Sequence, residues 1–222
     1  MQSYIKFIET YGSRFVDGTI VTLEQTALGT LLAIVVALVA AFMKMSTILP
    51  LRWAGIAYIE LFRGTSLLVQ MYWIFFVLPL FGFTLDRFTA GFIAVGLNLG
   101  AYGAELVRGG VQAVPRQQYE ACLALNIRPL TRMRRVIFPQ ALLIMLPPWG
   151  NLLIELLKAT ALVALISVTD LMFESKQLNM TTFLSAQAFG TALIIYYILA
   201  RGIVTPSIRW LEKSLARKLS IG

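Results

Sequence analysis

The sequence contains no histidine and only one cysteine, Cys122. An intrachain disulfide is therefore impossible, and histidine-held metal sites and Ser–His triads are excluded. Charge is also scarce: Asp, Glu, Lys and Arg make up 14% of the 222 residues, against about a quarter in soluble domains. None of the six lysines follows a glycine, so the chain has no G-x-x-x-x-G-K-[ST] phosphate loop and supplies no ATP site of that kind. The N-terminal "MQSYIKFIETYGSRFVDGT" carries Glu9 and Asp17 and no early apolar h-region. It does not read as a cleaved signal peptide.

Apolar residues take the place of the missing charge, at 58% of the chain. Several windows approach the roughly 20 residues that a spanning helix needs. Five spans are expected, at about 20–43, 56–81, 88–107, 138–167 and 186–208. The reading is an all-α membrane protein, a single domain over 1–222 with its core at about 19–210. The net charge of +8 sits largely in loops. Arg108, Arg116, Arg128, Arg132, Arg134 and Arg135 face only Glu120 in 108–135, and the tail has Arg209, Lys213, Arg217 and Lys218 against Glu212. This pattern predicts that 108–135 and the C-terminus are cytoplasmic and the N-terminus is outside. Nucleic-acid binding is disfavoured, because no basic domain stands apart from the apolar runs.

The basic stretch "QYEACLALNIRPLTRMRRVIFPQ" (118–140) has its own punctuation. Pro115 suits a first helical turn, where its missing N–H costs nothing. Asn126 suits a left-handed C-terminal cap. Pro129 opens a second helix that runs up to Pro139. The expectation is a two-helix elbow over 115–138, with Asn126 at positive φ.

Glu120-Ala121-Cys122, then Asn126, then Val136-Ile137-Phe138-Pro139 resembles the "EAA…G…I-x-L-P" signature of ABC importer membrane subunits. Cys122 replaces Ala, Asn126 replaces Gly and Phe138 replaces Leu. "AYIELFRGTSLLVQ", "LNLGAYGAELVRGGVQAVPRQQ" and "FPQALLIMLPPWGNLLIELLKATALVALISVTDL" resemble the polar amino-acid permeases of that family, from about Thr19 to the tail. Within the subfamily the chain looks most like ectoine and hydroxyectoine permeases; glutamine, glutamate or another polar amino acid is the alternative substrate. The resemblance implies a type I (MetI-like) permease bundle of five transmembrane helices in the bacterial inner membrane. It implies ATP-binding partner subunits that hold ATP and Mg, a second permease chain (identical or paralogous) and an extracytoplasmic solute-binding protein. No cofactor is expected in this chain. The elbow would dock on the ATPase through Glu120, Ala121, Asn126, Arg128 and Pro139.

Polar residues inside apolar spans are candidates for a substrate pathway. Asn151, Glu155 and Lys158 share one helix face at i, i+4 and i+7. They form either a pathway stripe or a structural Glu155–Lys158 pair at i,i+3. The "LPPWGN" segment suggests a helix break, with Pro148 starting a new turn at mid-membrane. Asn98 and Tyr102 are further pathway candidates, as is Gln70. Glu105 reads rather as a structural partner of Arg108, and Glu60 as one of Arg63. Gly96, Gly100 and Gly103 would admit a close neighbour. Cation-carrying relatives often bear acids where this chain has Leu152 and Ala159, so arginine, lysine and histidine are disfavoured as substrates. A stand-alone secondary transporter is the alternative from a different class; the elbow and the small size count against it. A membrane-embedded enzyme lacks any catalytic constellation.

Overall fold

The computed structural model describes residues 2–219, and every regular element among them is helical. Helix α1 spans Gln2–Lys44 and is 43 residues long, about 65 Å at 1.5 Å per residue. It begins well before the apolar window at 20–43. The extension has its own packing stripe: Phe7, Tyr11 and Phe15 recur every four residues and pack on Leu171, Leu178, Ala188 and Ala192. Such a stripe is periodic without being a continuous apolar run, so the hydropathy of the sequence did not show it.

Helix α4 (Arg87–Gln112) is the central partner of α1. Asp86 caps its start by accepting from the Thr89 amide at 3.0 Å. The three glycines predicted to admit a close neighbour do so. A Cβ on Gly96 would lie 2.9 Å from Leu32, one on Gly100 would lie 3.1 Å from Val36, and one on Gly103 would lie 2.8 Å from the Trp149 ring. Met71, Val95, Leu99, Leu152 and Leu156 complete a core shared by four helices.

Between α1 and α4 the chain forms α2 (Leu49–Gly64) and α3 (Leu67–Tyr72), which continues through a π turn at Trp73–Val77 and a 3-10 turn at Leu78–Phe81. The two halves bend by 107° at "RGTS". The elbow follows α4 as α5 (Arg116–Ala124) and α6 (Pro129–Arg132), and a π turn at Met133–Ile137 leads into α7 (Phe138–Ala159). The sequence placed a boundary at Pro139, but the helix runs through it. Proline removes the amide that would bond the carbonyl four residues earlier, and the π turn sits over that defect. Pro147 and Pro148 also lie inside α7. The expected mid-membrane break at "LPPWGN" is absent, so no free helix start points inward there. Neighbouring helices in a bundle support proline within a span in this way.

A 3-10 stretch, Thr160–Ile166, ends at Ser167 with φ 63°. The stretch between the fourth and fifth expected spans, "VTDLMFESKQLNMTT", is mostly helix α8 (Leu171–Thr182), capped by Asp170 and closed by Phe183 at φ 57°. Helix α9 (Ser185–Ile198) passes through a π turn at Leu199–Val204 into α10 (Thr205–Leu219). Four helical stretches are long and apolar enough to cross a membrane, and the bent α2–α3 pair makes a fifth when counted as one span.

Candidate coupling elbow and membrane groove

The elbow turns at Asn126, whose φ is 52°. The Asn126 amide donates to the Leu123 carbonyl and the Ile127 amide to the Cys122 carbonyl, both at 2.9 Å. These are the two bonds of a Schellman cap, which needs one left-handed residue. Asparagine adopts that conformation more readily than other non-glycine residues, so the expected cap is present. Pro115 lies one place outside α5, as its N-cap, and Pro129 opens α6 as expected.

Two contacts fix the elbow against the bundle. The Tyr119 hydroxyl donates to the Val111 carbonyl at 3.1 Å, and Cys122 is buried at 4% exposure on the inner side. The outer face is open. Leu123, Leu125 and Leu130 are 63%, 73% and 80% exposed. Glu120, Ala121 and Arg128 are exposed beside them, and Pro139 is half-buried. Glu120 makes only a loose ion pair with Arg116 at 3.7 Å. A leucine-rich patch rimmed by charge is the usual composition of a protein contact.

Inside the bundle, Gln70 and Asn98 meet at the bend between α2 and α3. The Phe62 carbonyl, freed by the bend, accepts from Gln70 Nε2 at 2.9 Å and from Asn98 Nδ2 at 3.0 Å. Asn98 Nδ2 also donates to Gln70 Oε1 at 2.9 Å. Both amides are thus engaged in satisfying a broken helix. Gln70 borders an apolar cavity of about 460 Å³ lined also by Leu61, Val69, Trp73 and Leu97, with no carboxylate in its wall. Tyr102 lies under the Arg63 guanidinium, 5.2 Å from its ring centre. The expected Glu60–Arg63 pair does not form; Arg63 faces the ring instead.

Glu105 does pair with Arg108 at 2.7 Å, and Lys44 Nζ joins it at 2.7 Å. The sequence identified the first contact and missed the second, because Lys44 arrives from the far end of α1. On α7, Asn151, Glu155 and Lys158 are all exposed along one face. Glu155 and Lys158 make no ion pair among the described residues, so the structural i,i+3 alternative is not realised. Asn151 and Lys158 instead line a groove of about 970 Å³ between α7 and α9, with Tyr196, Tyr197 and Arg201. Arg201 was not singled out from the sequence. Its signal was a lone arginine inside an apolar run, and in the structure it falls on a π turn, a feature common at functional sites.

A second polar knot also escaped the sequence reading. Asp170, fully buried, accepts from the Phe173 amide at 2.9 Å and from the Tyr196 hydroxyl at 3.3 Å. The Leu171 amide donates to Thr22 Oγ1 at 3.1 Å. A Cβ on Gly18 would lie 3.0 Å from the Asp170 carbonyl. The start of α8 is thereby joined to α1 and α9. Burial pushes the Asp170 carboxyl up to about 6, against the lowering effect of those hydrogen bonds. The sequence signal was an Asp in cap position with Glu174 in the first turn.

The geometry is a bundle of helices long and apolar enough to cross a membrane, with an exposed two-helix elbow and no group of metal-binding side chains among the described residues. The chain belongs to the family described as binding-protein-dependent transport system inner membrane component, whose model matches residues 25–217. A probable amino-acid ABC transporter permease of Sinorhizobium fredii is 44% identical over 169 residues, 73% of this chain and 71% of that protein. The L-cystine transport system permease of Bacillus subtilis is 36% identical over 179 residues, 81% of this chain and 74% of its own length. A crystal structure of an amino acid ABC transporter with histidines superposes with a TM-score of 0.87 at 34% identity, covering 95% of this chain and 98% of that one.

Proposed function

We propose that this chain is the permease of an ATP-driven importer for a small zwitterionic amino acid, and that the elbow, with Glu120, Ala121, Asn126, Arg128 and Pro139, is its ATPase-docking lever. The observation that carries the reading is the elbow itself: a capped, anchored two-helix projection with three exposed leucines outside the apolar helices. Partner subunits would bind the ATP and Mg. A second permease chain would complete the pathway, and an extracytoplasmic solute-binding protein would deliver the substrate. The charge pattern supports a cytoplasmic elbow and C-terminus with the N-terminus outside.

For the substrate, the groove between α7 and α9 supplies the cations Lys158 and Arg201 with Asn151 nearby, and no carboxylate lines it. Such walls suit a carboxylate and offer no counter-charge to a cationic side chain. Glu155, exposed on the same face of α7, is not among the residues that line the groove. Gln70, Asn98 and Tyr102 would shape the pathway by holding the bend rather than by offering free groups. Relatives named for amino acids and cystine support an α-amino acid. A compatible solute such as ectoine is the second reading, since a carboxylate with a delocalised cation also needs no acid in the wall.

The test is uptake into proteoliposomes holding the permease, its ATPase subunits and the solute-binding protein. ATP-dependent uptake of labelled L-glutamine or L-cystine is expected, with arginine a poor competitor. Uptake that needs no ATPase subunit sinks the importer reading. Transport confined to ectoine selects the second reading, and arginine as the preferred solute overturns the argument from the groove.

A further inference from the structure

The groove between α7 and α9 is equipped for only one end of a zwitterion. Lys158, Arg201 and Asn151 line it, and no carboxylate does. A solute with an ammonium as well as a carboxylate brings a positive charge that this wall meets with no acid. Withdrawing such a charge from water without a partner is costly. Two tyrosines complete the wall, Tyr196 and Tyr197, at consecutive positions of α9.

Tyr197 is 65% exposed. Tyr196 is half-buried, and its hydroxyl donates to Asp170 Oδ2 at 3.3 Å. Asp170 is fully buried and is not part of the wall. It is itself held in place: it accepts from the Phe173 amide at 2.9 Å, and the next amide along, Leu171, is bound to Thr22 of α1. A phenol tied by its oxygen in this way gives the groove its ring and withholds its hydroxyl. Both rings are also unclaimed. Among the described residues no cation sits over either one, and neither stacks on another ring. The face of an aromatic ring carries negative potential and attracts a cation, the more so where water is excluded.

We infer that the Tyr196 and Tyr197 rings receive the ammonium end of the solute while Lys158, Arg201 and Asn151 receive its carboxylate, and that Asp170 is the positioning residue that holds the Tyr196 ring in the wall. This deepens the reading of the groove as the solute's path, on which it rests, by naming what recognises the second charge. It gives the buried carboxyl a role beyond capping α8. A ring face asks for no N–H donor, so an N-methylated ammonium fits as well as a primary one. The rings take one cation, and a solute with a second, such as arginine, still lacks a partner for it.

The experiment measures binding to the purified full-length chain in detergent by saturation-transfer NMR. The ligands are L-glutamine and glutaramate, the same molecule without its α-amino group. Tyr196→Leu with Tyr197→Leu is expected to lower the ratio of glutamine affinity to glutaramate affinity about tenfold, because only glutamine carries the cation. Lys158→Gln with Arg201→Gln is expected to weaken both ligands. A parent that binds neither ligand, or a ratio the tyrosine changes leave as it was, overturns the aromatic site. Tyr196→Phe keeps the ring and removes its tether; Asp170→Ala removes the tether from the other side. Each is expected to lower the ratio about threefold and the two together no further, as for residues that act as a unit. Asp170→Asn, whose amide oxygen accepts the same bond, is expected to keep the parent ratio. A parent ratio in Tyr196→Phe, or losses that add, overturns the positioning role, and Tyr196→Phe decides it alone where Asp170→Ala does not fold. Binding uses no ATP. A ratio that falls as expected in a chain that imports nothing with its ATPase subunits sinks the importer reading and leaves the ammonium site standing, and ATP-driven uptake with an unchanged ratio does the reverse.

Discussion

At the scale of single residues, two positions place a chemical demand on the backbone that a substitution can test. Asn126 holds φ 52° so that two amides can cap α5. Glycine meets that geometry without a Cβ penalty, whereas a branched or long side chain incurs about 1–2 kcal/mol. Asn126→Gly is expected to leave the thermal midpoint in detergent unchanged or slightly raised, and Asn126→Leu to lower it; equal midpoints for the two would show that the cap contributes nothing. Asp170 raises a different issue. Burial lifts its carboxyl from 3.8 to about 6 in the folded chain, so the folded state holds that proton more tightly than the unfolded state. On this group's account stability is greatest in acid, declines as pH rises from about 4 to about 6, and is level above that. The effect is on the order of 3 kcal/mol. Asp170→Asn keeps the cap to the Phe173 amide, since Asn and Asp cap comparably, and removes the titration. Melting curves from pH 4 to 8 should show the slope in the parent and not in the variant. Parallel curves would refute the assignment.

At the scale of elements, the bend between α2 and α3 depends on a third helix. Phe62 loses its helical partner at the break, and Asn98 of α4, with Gln70 of α3, replaces it. Asn98→Ala leaves Gln70 Oε1 without its donor and the carbonyl with one bond fewer, at a cost of about 1–3 kcal/mol. Asn98→Asp should be worse, because it sets a carboxylate against a carbonyl oxygen. Thermal unfolding of the two variants checks the order, and Asn98→Asp proving the milder would refute the clamp. This element also shows where the sequence was legible. The polar Gln70 and Asn98 announced themselves as out of place, and Gly96, Gly100 and Gly103 announced a close neighbour. That the two amides serve the backbone was not legible, because their partner carbonyl is created by tertiary geometry. The same reason hid Lys44 from Glu105. The two prolines of α7 misled for the opposite reason: a local rule predicted a break, and packing on both sides kept the helix whole.

At the scale of the whole molecule, the elbow is a projection with an apolar outer face. Its rigidity comes from the Schellman cap, the Tyr119 anchor and the uninterrupted helix from Pro129 through α7. That continuity matters for coupling. A force on α6 is transmitted along one helix into the core of the bundle, where Leu152 and Leu156 pack against α4. Two-state motions of packed elements need such a stiff connection. In the proposed importer, closure of the ATPase subunits would move α5–α6, and α7 would carry the motion to the groove. Glu120 stands on the exposed surface, 66% accessible, and contributes nothing to the bundle's packing. Reversing its charge should therefore leave insertion and folding intact while weakening the contact with the ATPase. Glu120→Arg is expected to reach the membrane at the parent level, keep the parent melting midpoint, and lose most solute uptake in the assembled system, with ATP hydrolysis no longer stimulated by solute. Normal uptake by that variant would remove Glu120 from the docking surface. Lost uptake accompanied by a lowered midpoint would instead place the residue in the fold of the elbow, which its exposure argues against.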